Sequence, residues 1–293
     1  MNIQKSFLAR AEQSTGSLYL VATPIGNLED MTYRAIRILK EVQLIAAEDT
    51  RQTRKLLTHF EINTRTVSYH EHNKRASGPE LIRMLLEGTS IALVSDAGLP
   101  AISDPGADLV KDAVDRHIPV IPVPGANAAL SALIMSGLPT ERFLFAGFPP
   151  RERKAIMKWL EELKDRKETL LFYESPHRLE KTLAAMLECF GDRTIACVRE
   201  LTKRHEEAVR GTISECLAWF VEHPPLGEFC IVAEGTDGET AGAGDEDGAW
   251  WSKLDLAAHV AHYEEQYDRK EAIKRTAADR GLPKRDVYNE VNR

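Results

Sequence analysis

A chain of 293 residues, 43% hydrophobic and 28% charged, can bury a substantial core, and at about 150 residues per domain it has room for two domains. A formal net charge of -7 excludes a protein that coats nucleic acid over its whole surface, although a local basic face is compatible with it. No run approaches the roughly 20 apolar residues of a membrane span, and Lys5 and Arg10 near the N-terminus precede no apolar signal core, so the expected setting is the cytoplasm.

Short apolar runs alternate with amphipathic ones. Strands are expected from Leu18 to Ala22, Leu44 to Ala47, Thr66 to Tyr69, Ile91 to Val94 and Ile118 to Val123. Helices are expected between them, around Tyr33 to Lys40, Arg51 to Phe60, Glu80 to Leu86 and Ala107 to His117. This is the βαβ alternation of an α/β fold with a mainly parallel sheet. After the turn Val123-Pro-Gly-Ala-Asn127 comes a second set. It comprises a small-residue helix from Ala128 to Met135, a strand from Phe143 to Phe148, a charged helix from Arg151 to Lys167 and a strand from Thr169 to Tyr173. A helix from Arg178 to Cys189, a strand from Thr194 to Val198 and a closing strand from Glu228 to Ala233 complete it. With no internal repeat, the halves are expected to be different sheets, an N-terminal α/β domain over 1–124 and a second over 125–235.

The stretch GTDGETAGAGDEDG, from Gly235 to Gly248, has five acids and no base, which marks 236–249 as a flexible acidic linker. A small helical domain is expected over 250–293. From Asp268 to Arg293 it carries eight Lys or Arg against five acids, with Ala272, Ile273, Ala277 and Ala278 at helical spacing. Gly281-Leu-Pro-Lys284 breaks that pattern, and Val287, Tyr288 and Val291 start another face. The outline is that of a helix-turn-helix, or of a basic helical cap.

Cys189, Cys197, Cys216 and Cys230 have neither C-x-x-C nor zinc spacing and are expected as reduced core residues. The chain has no G-x-G-x-x-G fingerprint, no phosphate-binding P-loop, no G-x-S-x-G elbow and no H-E-x-x-H. His70-Glu-His72 alternates along a strand edge without a third ligand, so no metal is expected there.

The richest stretch is the loop Ser95-Asp-Ala-Gly-Leu-Pro-Ala-Ile-Ser-Asp-Pro-Gly106 after a buried strand, where prolines fix the backbone and glycines admit positive φ. In an open α/β sheet ligands sit outside the carboxyl ends of the strands, where this loop lies. Glu48-Asp-Thr-Arg51 is another strand-end cluster, and it reads either as a helix cap through Asp49 or Thr50 or as a polar floor under a substrate hydroxyl, with Arg51 on a phosphate. Tyr173-Glu-Ser-Pro-His-Arg178 and Arg199-Glu-Leu-Thr-Lys203-Arg-His205 end strands of the second half in the same way. Salt bridges account for either alone, while three such clusters fit a cleft.

LYLVATPIGNLEDMT, LIAAEDTR, ALVSDAGLPAISDPG, VPGANAALSAL, LLFYESPHRL, CVRELTK and GEFCIVAEG occur in this order. Together they resemble the small-subunit ribosomal RNA methyltransferase branch of the tetrapyrrole methylase (class III methyltransferase) superfamily, over residues 17–235. The resemblance implies two α/β domains of the tetrapyrrole methylase type with S-adenosylmethionine bent in the interdomain cleft, plus a small C-terminal helical domain. It also implies a homodimer that methylates the 2'-hydroxyl of a decoding-region cytidine, cytidine 1402, in the 16S rRNA of the 30S subunit, with no membrane or DNA partner. By position, Pro24 closes the first loop and Asp96, Ala97, Gly98 and Leu99 replace the Gly-Asp-Pro loop that meets the methionine part. Asn127 and Ala128 match the small pair after the Pro-Gly turn, and Tyr173, Leu201 and Thr202 match the adenine side. Ser95-Asp-Ala in place of Gly-Asp-Pro favours the RNA branch over a porphyrinoid acceptor.

Transfer from a sulfonium asks mainly for orientation, but a ribose hydroxyl must also lose its proton. Glu48, Asp49, Glu200 and Lys203 are candidates for base or hydroxyl orienter, and neither spacing nor resemblance selects among them. RNA phosphates are expected to meet Arg51, Arg54, Arg151, Arg153, Lys154, Lys203 and Arg204. Three rivals stand beside this reading: a superfamily methylase acting on a corrinoid or other small acceptor, a metal-dependent phosphohydrolase using Glu48, Asp49, Asp96 and Asp104, and a non-catalytic RNA-binding protein using the C-terminal helices.

Overall fold

The computed structural model describes residues 3–4, 14–236, 254–264, 267–280 and 282–291. The expected linker from Asp237 onward, Lys5, Arg10 and Gly281 lie outside these residues. The chain forms two compact units, Met1–Gly235 and Thr236–Arg293, and both sheets belong to the first.

The first sheet contains β1 (Leu18–Val21), β2 (Leu44–Ala47), β3 (Thr66–Ser68), β4 (Ile91–Val94) and β5 (Val120–Val123) in the order β3-β2-β4-β1-β5. All its pairings are parallel. In β2 and β4 every residue is buried, as expected of parallel strands covered on both faces. Alternation sorts their side chains. Ile45, Ala47, Ala92 and Val94 pack under α1 (Tyr33–Glu41) and α2 (Thr50–His59), whereas Leu44, Ala46, Ile91 and Leu93 pack under α3 (Lys74–Leu86) and α4 (Ala107–Asp115). Helix α3 starts six residues before the expected Glu80, with Gly78-Pro79 inside it. The side chain of Asn73 ties the turn before the helix, accepting from His70 N at 2.8 Å and donating to Ser68 O at 3.0 Å, and its backbone carbonyl accepts from Ser77 N at 2.9 Å to open the helix ahead of the proline.

Helix α5 (Ala128–Ser136) leads to the second sheet, β6 (Phe143–Gly147), β7 (Thr169–Glu174), β8 (Thr194–Arg199), β9 (Glu207–Thr212) and β10 (Phe229–Ala233), in the order β6-β7-β10-β8-β9. Only β6 and β7 run parallel; the other pairings are antiparallel. On one face Leu170, Phe172, Cys197, Phe229 and Ile231 pack with α6 (Arg153–Glu161), α7 (Leu179–Phe190) and α8 (Ile213–Glu222). On the other face Ala129, Ala132 and Leu133 of α5 cover Leu171, Ala196, Val198 and Val232. Ile25, from the loop after β1, packs into this same cluster and so ties the first sheet's loop to the second sheet.

Strand β9 and helix α8 are not among the elements read from the sequence. Half-exposed β9 lacks an apolar face, and the capping box of α8, Thr212 with Glu215, was the available signal. Helix α6 is shorter than the expected charged helix, since the chain passes from helix into turns after Glu161 and buries Leu163 there. The thiols of Cys197, Cys216 and Cys230 are free and buried, and Cys189 is half-buried.

In the second unit α9 (Leu256–Glu264), α10 (Arg269–Asp279) and α11 (Lys284–Val291) enclose Val260, Ala272, Ile273, Ala277 and Val287. Arg280 Nε donates to Nδ1 of buried His259 at 3.1 Å, so Nε2 carries the hydrogen that meets Asp279 Oδ2, also at 3.1 Å.

Phe172 of β7, fully buried under the helices on that face of the sheet, sits one residue before the cleft residue Tyr173. Phe172→Ala is expected to cost about 3–5 kcal/mol in urea unfolding; a cost under about 1 kcal/mol would show that this layer is not tightly packed.

Candidate active site

Because β1, β2, β4 and β5 are parallel, the segments that follow them gather at one edge of the sheet. There the loop after β4 is fastened to both neighbours. Thr23 and Gly98 exchange backbone hydrogen bonds (2.9 and 3.0 Å), with Gly98 at a φ of +77° that glycine adopts without strain, and Thr23 Oγ1 donates to Ser95 O at 3.2 Å. Asp96 N donates to Glu48 Oε2 at 3.3 Å, and Asp49 N donates to Asp96 Oδ1 at 3.1 Å. The two carboxylates are therefore held across adjacent strand ends.

The opposite wall comes from the second sheet. Asn127 caps α5 by accepting from Leu130 N at 2.9 Å, and Tyr173 Oη accepts from Ala129 N at 3.2 Å. The segment after β8 places Leu201 in the core and pairs Glu200 with Lys203 at 2.9 Å. Gly26 makes the two walls meet: a Cβ there would lie 2.5 Å from Lys203 Cγ and 3.0 Å from Leu201 O. Four of the six non-glycine residues with positive φ among those described, Ala101, Ser103, Glu200 and Thr202, sit in the two loops that face each other here. At ~1–2 kcal/mol each, left-handed backbone persists only where its surroundings impose it.

Between the walls lies a cleft of about 460 Å3. Of the residues singled out in the sequence, Glu48, Asp96, Ala97, Gly98, Leu99, Asn127, Ala128, Tyr173, Glu200, Leu201 and Lys203 line it. Pro24, Asp49 and Thr202 are neighbours in the chain that do not line it. Asp49 caps α2, accepting from Arg51 N at 2.8 Å, and grips the Arg51 guanidinium at 3.1 and 2.8 Å, which holds its carboxyl at about 2. None of Arg51, Arg54, Arg151, Arg153, Lys154 and Arg204 lines the cleft; all are exposed, and Arg153 pairs with Glu188 at 2.6 Å. Buried Glu174 is engaged by Thr182 Oγ1 at 2.6 Å, Ser175 N at 2.8 Å and Arg178 at 3.3 Å, so the Tyr173-to-Arg178 cluster is largely architectural.

The sequence reading gave no role at this site to Phe148 or Glu228, and it placed Ser103 and Asp104 only within the Ser95-to-Gly106 loop, with Asp104 also named as a metal ligand in a rival reading; all four line the cleft. The second Ser-Asp of the loop, Ser103-Asp104, was the visible hint, but only the folded loop turns it inward. Burial, reinforced by the Glu48 carboxylate and then by Asp96 and Glu228, pushes the Asp104 carboxyl up to about 6 against the pull of the Ser95 hydroxyl. Burial also raises Glu48, and it lifts the Tyr173 phenol to about 12. In all, six acids and two bases line the cleft. Among the described residues no group of three His, Cys, Asp or Glu is placed to hold a metal ion, and no helix is long and apolar enough to cross a membrane.

Residues 17–217 match the family model described as Tetrapyrrole (Corrin/Porphyrin) Methylases. The chain belongs to the tetrapyrrole methylase family. Family members similar to it include proteins named Ribosomal RNA small subunit methyltransferase I. That of Halalkalibacterium halodurans is 57% identical over 290 residues, 99% of this chain and 98% of the relative, and that of Bacillus subtilis is 56% identical over 287 residues, 98% and 97%. Among solved structures of the same fold, the uroporphyrin-III-C-methyltransferase of Thermus thermophilus aligns with a TM-score of 0.54 at 21% identity, covering 77% of this chain and 97% of that one. A diphthine synthase aligns at 0.58 and 12%, covering 75% and 90%.

Asp104 gives this methylase cleft a pH signature. The folded protein holds the Asp104 proton more tightly than the unfolded chain, whose carboxyl titrates near 3.8, so the group's contribution to stability is complete below that pH and is lost as pH rises through about 6. Asp104→Asn is therefore expected to melt higher than the wild type at pH 7, with the difference shrinking toward pH 4. A difference constant from pH 4 to 7 would contradict the assignment.

Proposed function

We propose that the cleft binds S-adenosylmethionine and transfers its methyl group to the 2'-hydroxyl of a decoding-region cytidine, cytidine 1402, of 16S rRNA in the 30S subunit. The observation that carries the cofactor reading is the excess of carboxylates over cations at the strand ends. Such a site repels nucleotide phosphates and favours a ligand with sulfonium and ammonium charges. The residues present fit that ligand. The cleft volume lies in the range of small-molecule sites, roughly 300–1,000 Å3, and next to the lining residue Leu201 the buried Thr202 Oγ1 has no hydrogen-bond partner among the described residues. The names of the curated relatives support the RNA acceptor.

In this reading the Asp96 to Leu99 loop holds the methionine part, Pro24 closes the first loop, and Asn127, Ala128, Tyr173, Leu201 and Thr202 enclose the adenosine. Bound there, the cofactor supplies an activated methyl group on a sulfonium. The protein's part is to align the hydroxyl and receive its proton. Asp49 is committed to its cap and to Arg51, and Glu200 to Lys203. Glu48 remains of the four sequence candidates, a carboxylate whose proton affinity is raised by burial, with Asp104 beside it. The α/β halves, 1–124 and 125–235, clasp the cofactor. The helices of 250–293 dock RNA through their basic residues, and the protein works in the cytoplasm as a homodimer.

Asp96→Ala is expected to stay folded and to weaken S-adenosylmethionine binding at least tenfold by calorimetry. Unchanged affinity would remove this loop from the site. Truncation after Gly235 is expected to preserve cofactor affinity while weakening 30S binding, with a shallower fall of affinity with salt because fewer phosphates are contacted. Equal 30S affinity and equal salt slope would make the C-terminal unit dispensable. A free corrinoid methylated in preference to 30S subunits would replace the RNA reading.

A further inference from the structure

Two large apolar side chains at the cleft are left in water: Phe148, 52% exposed, and Ile102, 42% exposed. Phe148 follows Gly147, whose φ of +74° turns the chain at the end of β6. Its ring centroid lies 5.4 Å from that of Tyr173, tilted by 58°, and Tyr173 meets Phe145 edge-on at 5.0 Å. The exposed ring is thus backed by aromatic packing rather than hanging free. The backbone beyond it is clamped as well. Arg178 Nη2 donates to Pro149 O at 2.7 Å and to Pro150 O at 2.8 Å, and Arg178 is itself anchored to Glu174, which is buried. Directly after the prolines come the exposed cations Arg151, Arg153 and Lys154; among the described residues only Arg153 of the three shows an ion pair, a surface one of small worth.

A fixed, half-exposed aromatic ring at the rim of a reaction cleft, followed within six residues by three cations, has the makings of a base-stacking site. The need for one is physical. An enzyme reaches an atom of a nucleotide packed in structured RNA by turning that nucleotide out of its stack, and the lost stacking must be replaced. Resting on the reading of the cleft as an RNA methyltransferase site, we infer that Phe148 is the platform on which the base of the target nucleotide stacks once turned out, while Arg151, Arg153 and Lys154 hold the flanking phosphates. The Tyr173-to-Arg178 cluster then has a purpose beyond packing, since Glu174 and Arg178 hold the platform's loop still.

The test compares Phe148→Ala, Phe148→Leu and Phe148→Trp in the full-length protein. The measurements are kcat/KM for 30S subunits, S-adenosylmethionine affinity by calorimetry, thermal melting and sedimentation. We expect Phe148→Ala and Phe148→Leu to lose at least tenfold in kcat/KM and Phe148→Trp to stay within threefold of the wild type, with cofactor affinity, melting and mass unchanged in all three. The inference is overturned if Phe148→Ala keeps its kcat/KM, or if Phe148→Leu restores it as well as Phe148→Trp does, because the ring then acts only as apolar cover. A parallel loss of cofactor affinity assigns the ring to the cofactor pocket and a fall in mass assigns it to an interface between copies, and either overturns it too. Failure of the wild type to methylate 30S subunits while it binds cofactor is read from the wild-type arm alone and overturns the underlying RNA reading.

Discussion

Two hydrogen bonds crossed between neighbouring strand ends, Asp96 N to Glu48 Oε2 and Asp49 N to Asp96 Oδ1, hold the site in place. Like-charged side chains left to themselves swing apart into water. Here the backbone pins them, the Thr23 and Gly98 bridge adds a second fastening, and Asp104 joins the group half-buried. Burial, with the neighbouring carboxylates added to it, makes Glu48 and Asp104 hold protons more tightly than ordinary carboxyls do, although the bond from Asp96 N pulls Glu48 the other way. Its chemistry follows from parallel strands that bring four loops to one edge.

The second constraint is the meeting of the walls. Ile25 is packed into the core under the second sheet, and Gly26 lies against Lys203 and Leu201, so the loop after β1 cannot shift without moving the loop after β8. The strained residues cluster in these facing loops, where the packing around them over-determines the backbone. Glu174 shows the same division of labour. Its sequence neighbourhood is one of three charged strand-end clusters, and the buried carboxylate at the cleft wall is a hub for Thr182, Ser175 and Arg178, which in turn holds the prolines at the rim.

The first sheet was legible because continuous apolar runs such as Leu44 to Ala47 and Ile91 to Val94 mean burial on both faces, and the breaks between them carry turn residues. Strand β9 was not, because Glu207 to Thr212 sits at a sheet edge with polar groups on both faces and owes its form to pairing with β8. At the cleft, motif order pointed to Asp96 to Leu99, Asn127 and Tyr173. The inward turn of Asp104 and the place of Phe148 were hidden because they depend on how a Pro-Gly-rich loop and a sheet edge fold back, which no local period encodes. The basic residues stand outside the cleft: Arg51 is close to Glu48 in sequence, but its guanidinium is held by Asp49 and does not line the cleft.

Under the proposed function this cleft places one methyl group on a ribose oxygen of the decoding region. Ribose methylation mapped along 16S rRNA from cells lacking the protein, and again after their 30S subunits are incubated with the purified protein and S-adenosylmethionine, tests it most directly. The account predicts a single 2'-O-methylcytidine that is missing from the first map and restored in the second. An unchanged map, or a methyl group found on a base instead of a ribose, would contradict it.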